Sequence, residues 1–134
     1  MASEVKWLVE NHALILAYNG TVTIDDVLYT TRTGEDMIKQ CNNTVHILND
    51  LTQTDGLAPE MQKVGDILKV TRSFMSLDNM GMMVAYGTNN KIIKFLSNLV
   101  GQVGRIEFRM FDTYDEAVQF LIHNDTLLAD QLTP

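Results

Sequence analysis

The run Gly81-Met82-Met83-Val84-Ala85-Tyr86-Gly87 constrains this chain more than any other stretch. A strand with one face in water alternates apolar and polar residues. A short run that is apolar on both parities and bounded by glycines reads instead as a strand covered on both faces. Ala13 to Tyr18 has the same character. Two such strands call for a sheet with apolar cover on each side.

The neighbouring segments supply the rest of the sheet. Val5, Trp7 and Val9 alternate with Lys6, Leu8 and Glu10, a period of two that predicts a strand. Asn11-His12 is a tight turn into Ala13, and so short a connection allows only antiparallel neighbours. Asn19-Gly20 then breaks the pattern. Thr44 to Leu51 predicts a third strand, and Arg105 to Phe111 a fifth, with Ile106, Phe108 and Met110 inward at an edge of the sheet.

Helical spacing fills the gaps. Thr23 is placed to cap a helix with Asp25 and Asp26 in its first turn, followed by Ile24, Val27, Leu28, Thr31, Ile38 and Cys41 on one stripe. Gly34 falls on that stripe. A glycine there costs about 1 kcal/mol against alanine, so close approach to the sheet is its expected reason. Pro59 suits the first position of a second helix, carrying Val64, Ile67, Leu68, Thr71, Phe74 and Met75. Thr88-Asn89-Asn90 would cap a third, with Ile92, Ile93, Leu96, Leu99, Val100 and Val103. Thr113-Tyr114-Asp115-Glu116 has the spacing of a capping box for the last helix, which continues through Ala117, Val118, Phe120 and Leu121.

The predicted order is β-β-α-β-α-β-α-β-α: a five-stranded mixed, mostly parallel sheet with an N-terminal antiparallel hairpin and four helices. Residues 1–124 form a single α/β domain, and 125–134 read as a C-terminal tail, frayed or docking. If each strand adds beside the last, all helices fall on one face and the other stays open. A helix of the same chain could cover that face only with another strand order; otherwise a second copy would, making a homodimer.

At this point the chain resembles the SpoIIAA-like superfamily, which holds the STAS domains (sulfate transporters and anti-sigma factor antagonists) and CRAL-TRIO-like lipid-binding domains. The likeness spans nearly the whole chain. It lies in the element order, the hairpin VKWLVENHALILAYNG, the Asp-Leu ending of HILNDL, the apolar GMMVAYG and the closing EFRMFDTYDEAVQFL. The resemblance implies a non-enzymatic regulatory module that docks a protein partner and is switched by phosphorylation of a serine after the third strand. The family's loop typically runs Asp-Leu-Ser and then Asp-Ser-Ser-Gly-Leu. Here it reads Asp50-Leu51-Thr52 and Thr54-Asp55-Gly56-Leu57, which aligns Asp55 with the acceptor serine. The fold analogy transfers; the switch does not transfer intact.

Two candidate sites follow. Loops at the carboxyl ends of parallel strands collect functional residues, and Asn49, Asp50, Thr52, Thr54 and Asp55 form a phosphoacceptor or docking loop there, with Thr52 and Thr54 as acceptors near the Pro59 helix start. Thr21, Thr23, Thr88, Asn89, Asn90, Asp112 and Thr113 share that edge, where helix capping is the simpler use of such residues. The second site is a pliable apolar pocket or interface at Met75, Met80, Met82, Met83 and Tyr86, because methionine adapts to irregular surfaces. It would suit an apolar or lipid-like small molecule.

Composition removes other functions. At 134 residues the chain is one domain, 46% hydrophobic and 20% charged. Ten basic residues scattered among seventeen acidic ones give a net charge of −7, which argues against nucleic acid. Cys41 is the single cysteine, so neither an intrachain disulfide nor a cysteine-based zinc motif is expected. His12, His46 and His123 are too dispersed for a metal site, and His46 and Asp50 stand about 13 Å apart along one strand. No Ser-His-Asp order, paired carboxylates or phosphate-cradling glycines point to an enzyme or a cofactor. No charged leader precedes an apolar core and no run reaches the roughly 20 residues of a membrane span. The expected location is cytoplasmic, with no stable membrane insertion.

Overall fold

Asn11 turns the chain on itself at φ +68°, a conformation asparagine tolerates better than most residues. The turn joins β1 (Ser3–Val9) to β2 (Ala13–Val22) as an antiparallel hairpin. The structure, a computed structural model, describes residues 3–91, 93, 94, 98, 102 and 107–132. After the hairpin come α1 (Ile24–Lys39), β3 (Val45–Leu57), a 3-10 turn (Pro59–Gln62), α2 (Val64–Met75), β4 (Met80–Tyr86), β5 (Phe108–Phe111), α3 (Tyr114–Asn124) and α4 (Thr126–Leu132). The strand order is β1-β2-β3-β4-β5, with every pair after the hairpin parallel. This is the mixed α/β sheet expected from the sequence.

The caps explain where the helices begin. Thr23 Oγ1 accepts from the Asp26 N–H at 3.1 Å, and Asp26 Oδ2 accepts from the Thr23 N–H at 2.9 Å, a complete reciprocal pair. Thr113 Oγ1 accepts from the Glu116 N–H at 3.2 Å. Asn90 Oδ1 accepts from the Ile93 N–H at 3.1 Å, and helix begins at Lys91. Of that predicted third helix, Ile92, Leu96, Leu99, Val100 and Val103 lie outside the described residues. So do Arg105 and Ile106 of the predicted fifth strand.

On one side of the sheet, α1 and α2 pack over Leu14, Leu16, Val45, Ile47, Met83 and Ala85, with Phe74 at the centre and only 2% exposed. Gly34 is where α1 comes closest. A Cβ built there would stand 3.0 Å from Phe74 Cε1 and 3.2 Å from Leu14 Cδ2, so the expected close approach to the sheet is found, together with a close approach to α2.

The second face corrects the expectation of an open sheet. Ala13, Ile15, Leu48, Val84 and Tyr86 are covered by Ala117, Val118 and Leu121 of α3 and Leu128 of α4. The strand order is the simple one, yet the chain crosses under the sheet after its edge strand and returns over the far side. No second copy is needed to bury that face, so the argument for a homodimer falls. The segment read as a tail or docking element contains α4, whose Leu128 is fully buried.

The central strands are also longer than predicted. Asn19-Gly20 does not end β2, and Leu51 does not end β3. Gly20 takes φ +76°, a bulge conformation open to glycine. The two strands then continue side by side, pairing Asn19 with Gln53, Gly20 with Thr54 and Val22 with Leu57. The predicted loop is therefore a parallel ladder up to Leu57.

Candidate ligand cavity and sheet rim

Between α1, α2 and the sheet lies a cavity of about 130 Å³. Leu16 and Tyr18 reach it from β2, Asn49 and Leu51 from β3, Met83 and Ala85 from β4, Val27 and Thr31 from α1, and Ile67, Thr71, Phe74 and Met75 from α2. Val22, Leu57, Met61, Ile93 and Phe108 complete its described lining. The neighbouring side chains are mostly aliphatic, and no lysine, arginine, histidine or carboxylate is among these residues.

Most of its polar groups are already hydrogen-bonded within the protein. Thr31 Oγ1 donates to Val27 O at 2.7 Å and Thr71 Oγ1 to Ile67 O at 2.9 Å, the back-bonding that hydroxyls adopt within helices. The Tyr18 hydroxyl lies 2.8 Å from Thr30 Oγ1, and the Thr30 hydroxyl is 3.1 Å from Val27 O; Tyr18 donating to Thr30 satisfies both. Burial, reinforced by the Asp26 charge, pushes the Tyr18 pKa up to about 12, so that hydroxyl keeps its proton at neutral pH. Asn49 Nδ2 donates to Val84 O at 3.1 Å, across to β4.

The five residues grouped as an apolar pocket are divided by the sheet. Met75 and Met83 line the cavity, and Met80 packs against the same core. Met82 and Tyr86 lie on the opposite face, against α3 and α4. Sequence proximity around β4 brought them together on paper, but alternate residues of a strand face opposite ways.

The β3 loop candidates are likewise separated. Asn49 lines the cavity. Asp50 Oδ1 accepts from the Thr52 hydroxyl at 2.6 Å and from the Thr52 N–H at 3.0 Å. Thr54 Oγ1 donates to Leu51 O at 2.7 Å, whereas Thr52 and Asp55 are exposed. Because the strand runs on to Leu57, Thr54 is five residues from Pro59, about 16 Å in extended chain. That distance removes the expected support from the helix start. Tyr86 is buried next to Asp50, its ring 5.5 Å from that of Tyr114 at 73°. Burial first, then the Asp50 charge, raises the Tyr86 pKa well above the ordinary tyrosine value.

A polar contact that sequence reasoning missed ties the second layer down. His46, 5% exposed, accepts from the Met82 N–H through Nδ1 at 2.9 Å and meets Asp125 Oδ2 through Nε2 at 2.7 Å. With Nδ1 accepting, Nε2 carries the proton and donates to the carboxylate. Gly81 beside it leaves no room for a side chain: a Cβ would overlap the imidazole and come within 2.8 Å of Thr44 Cγ2. The partners His46 and Asp125 are 79 residues apart, so no local pattern announces the pair. Asp125→Ala should lower stability by about 1–3 kcal/mol, the cost of a buried donor left without its acceptor. In hydrogen exchange, α3 and α4 should lose protection before β3; equal loss in both layers would show that the contact does not anchor the second layer.

Among the described residues, no group of three or more His, Cys, Asp or Glu is placed to hold a metal ion, and no helix is long and apolar enough to cross a membrane.

A sheet of this order, opened by a hairpin and helical on both sides, defines a STAS-like α/β protein. The chain belongs to the SpoIIAA-like family, whose sequence profile matches residues 13–122. An uncharacterised protein from Shewanella loihica PV-4 with a SpoIIAA-like fold superposes with a TM-score of 0.62, covering 90% of this chain and 92% of that one. Their identity is 18%, so the likeness is one of fold alone. No curated protein matches the chain.

Proposed function

We propose that the protein is a non-enzymatic binding module whose ligand is a small apolar molecule, or the apolar end of a larger one, held between α1, α2 and the sheet. The cavity carries this reading. At about 130 Å³ it is near the size of an apolar cavity that accepts benzene and too small for a whole lipid. An apolar occupant gains by taking this mostly apolar lining out of contact with water. The methionine methyl groups report on it directly. Toluene titrated into protein carrying carbon-13 methionine methyls should shift Met75 and Met83 saturably and leave Met82, across the sheet, unmoved. No shift at Met75 and Met83, or equal shifts at all three, would overturn the proposal.

A second reading, docking of a protein partner, is favoured at one place. Thr52 and Asp55 are exposed at the far end of the longest strand, and Asp50 is held beside them by Thr52. STAS-like domains commonly bind proteins through their surfaces, and the exposed stretch Thr52 to Asp55, with Asp50 beside it, is where this chain would do so.

A further inference from the structure

We propose that the cavity selects an uncharged, ring-sized ligand bearing a hydroxyl, a phenol-like molecule, which donates its hydrogen bond to Asn49 Oδ1. This deepens the ligand-binding reading above and rests on it. The argument is an inventory of donors and acceptors. Thr31 and Thr71 give their protons to Val27 O and Ile67 O, and Tyr18 gives its proton to Thr30. These three groups therefore present the cavity only with acceptor oxygens. Asn49 sits between Ile47 and Leu51 on β3 and lines the same space. Its Nδ2 bond to Val84 O fixes which end of the amide is nitrogen. Oδ1 has no partner among the described residues and is left to accept.

Charge excludes the neighbouring ligand classes. No cationic side chain is among the described lining residues, and the one N–H that Asn49 retains does not offset the burial of a carboxylate. Fatty acids and aryl carboxylates are thus rejected. A ligand that only accepts hydrogen bonds leaves Oδ1 unpaired. A hydroxyl gives Oδ1 its donor and can take the remaining amide N–H in return.

The test compares toluene, phenol and benzoate on the intact protein and on Asn49→Leu, with the Met75 and Met83 methyl shifts as readout. Toluene should still bind Asn49→Leu saturably, since its contacts are apolar, and this shows that the variant has kept its cavity. Phenol should bind the natural chain and lose about tenfold or more in Asn49→Leu, the effect of burying a hydroxyl without its acceptor. Benzoate should bind neither. If Asn49→Leu fails to fold, Asn49→Val removes the same acceptor with a side chain suited to a strand. Toluene binding without phenol binding, or phenol binding unchanged by the substitution, would overturn the donor selectivity and leave the cavity reading intact. If neither ligand binds, both proposals fall.

Discussion

Replacing Phe74 with alanine should lower the free energy of unfolding by about 3–5 kcal/mol. The ring, carried by α2, is 2% exposed, lies against Gly34 of α1, and is among the largest fully buried side chains in the described structure. It also borders the cavity, so its loss enlarges an existing void and leaves little for the surroundings to collapse onto. Urea denaturation at unchanged m-value measures the effect. A loss below about 1 kcal/mol would mean that the helix layer repacks freely around the site.

The same substitution has a second consequence at Gly34. Alanine there gains about 1 kcal/mol of helix propensity, but its Cβ meets Phe74 Cε1 at 3.0 Å and Leu14 Cδ2 at 3.2 Å. With Phe74 reduced to alanine, the tighter of the two contacts disappears. Gly34→Ala should therefore be more favourable in the Phe74→Ala background than in the natural chain, with a coupling of about 0.5–3 kcal/mol. Simple additivity would show that the glycine is not there for the ring.

Gly87→Ala is expected to cost about 3 kcal/mol or more, because conformational strain and overlap act together. Gly87 holds φ +91°, and a Cβ would lie 3.0 Å from both the Cα and the N of Thr52. Side-chain rotation cannot relieve a contact with backbone. Thr52→Ala should therefore fail to rescue Gly87→Ala, although it removes the Cγ2 that overlaps the new atom most. Full rescue would place the strain in the threonine side chain instead. The same contact sets Thr52 against the end of β4, and with it the exposed rim of β3.

The sequence showed the helices and the sheet through patterns that act over a few residues. Thr23 with Asp26, and Thr113 with Glu116, are local devices, and both threonines cap their helices. Only the first pair closes a reciprocal box, because Glu116 Oε1 accepts from the Thr113 hydroxyl and not from its backbone N–H. GMMVAYG announced a strand covered on both faces, which β4 is: Met83 and Ala85 face one core, Val84 and Tyr86 the other. What covers the second face is not written in that run, because it depends on which way the chain turns after β5. The residues there, Phe111 to Tyr114, show only an ordinary helix start.

Non-local contacts were illegible for the same reason. Asn79 illustrates it. Its side-chain amide lies within hydrogen-bonding distance of Ile38 O, Cys41 O and Asn43 O, at 3.2, 3.3 and 3.0 Å, joining the end of α1 to the start of β4. In the sequence it is only a turn residue. A strand ending at Leu51 puts Asn49 near a rim; the ladder that runs on to Leu57 puts it on the face that lines the cavity. The cavity itself is a property of packing among four strands and the helices over them, and no pattern of residue types encodes an unfilled volume.

The second layer also orders events in time. Leu48 and Val84 belong to strands made well before α3 and α4, and these helices shield them. During synthesis the half-built sheet thus emerges with one apolar face bare, and it stays so until the residues around Leu121 and Leu128 have cleared the ribosome. A chain released before Tyr114 would carry that face into solution unprotected, the condition under which partly folded proteins aggregate or engage chaperones. The last helices are thus what completes the apolar cover of the sheet.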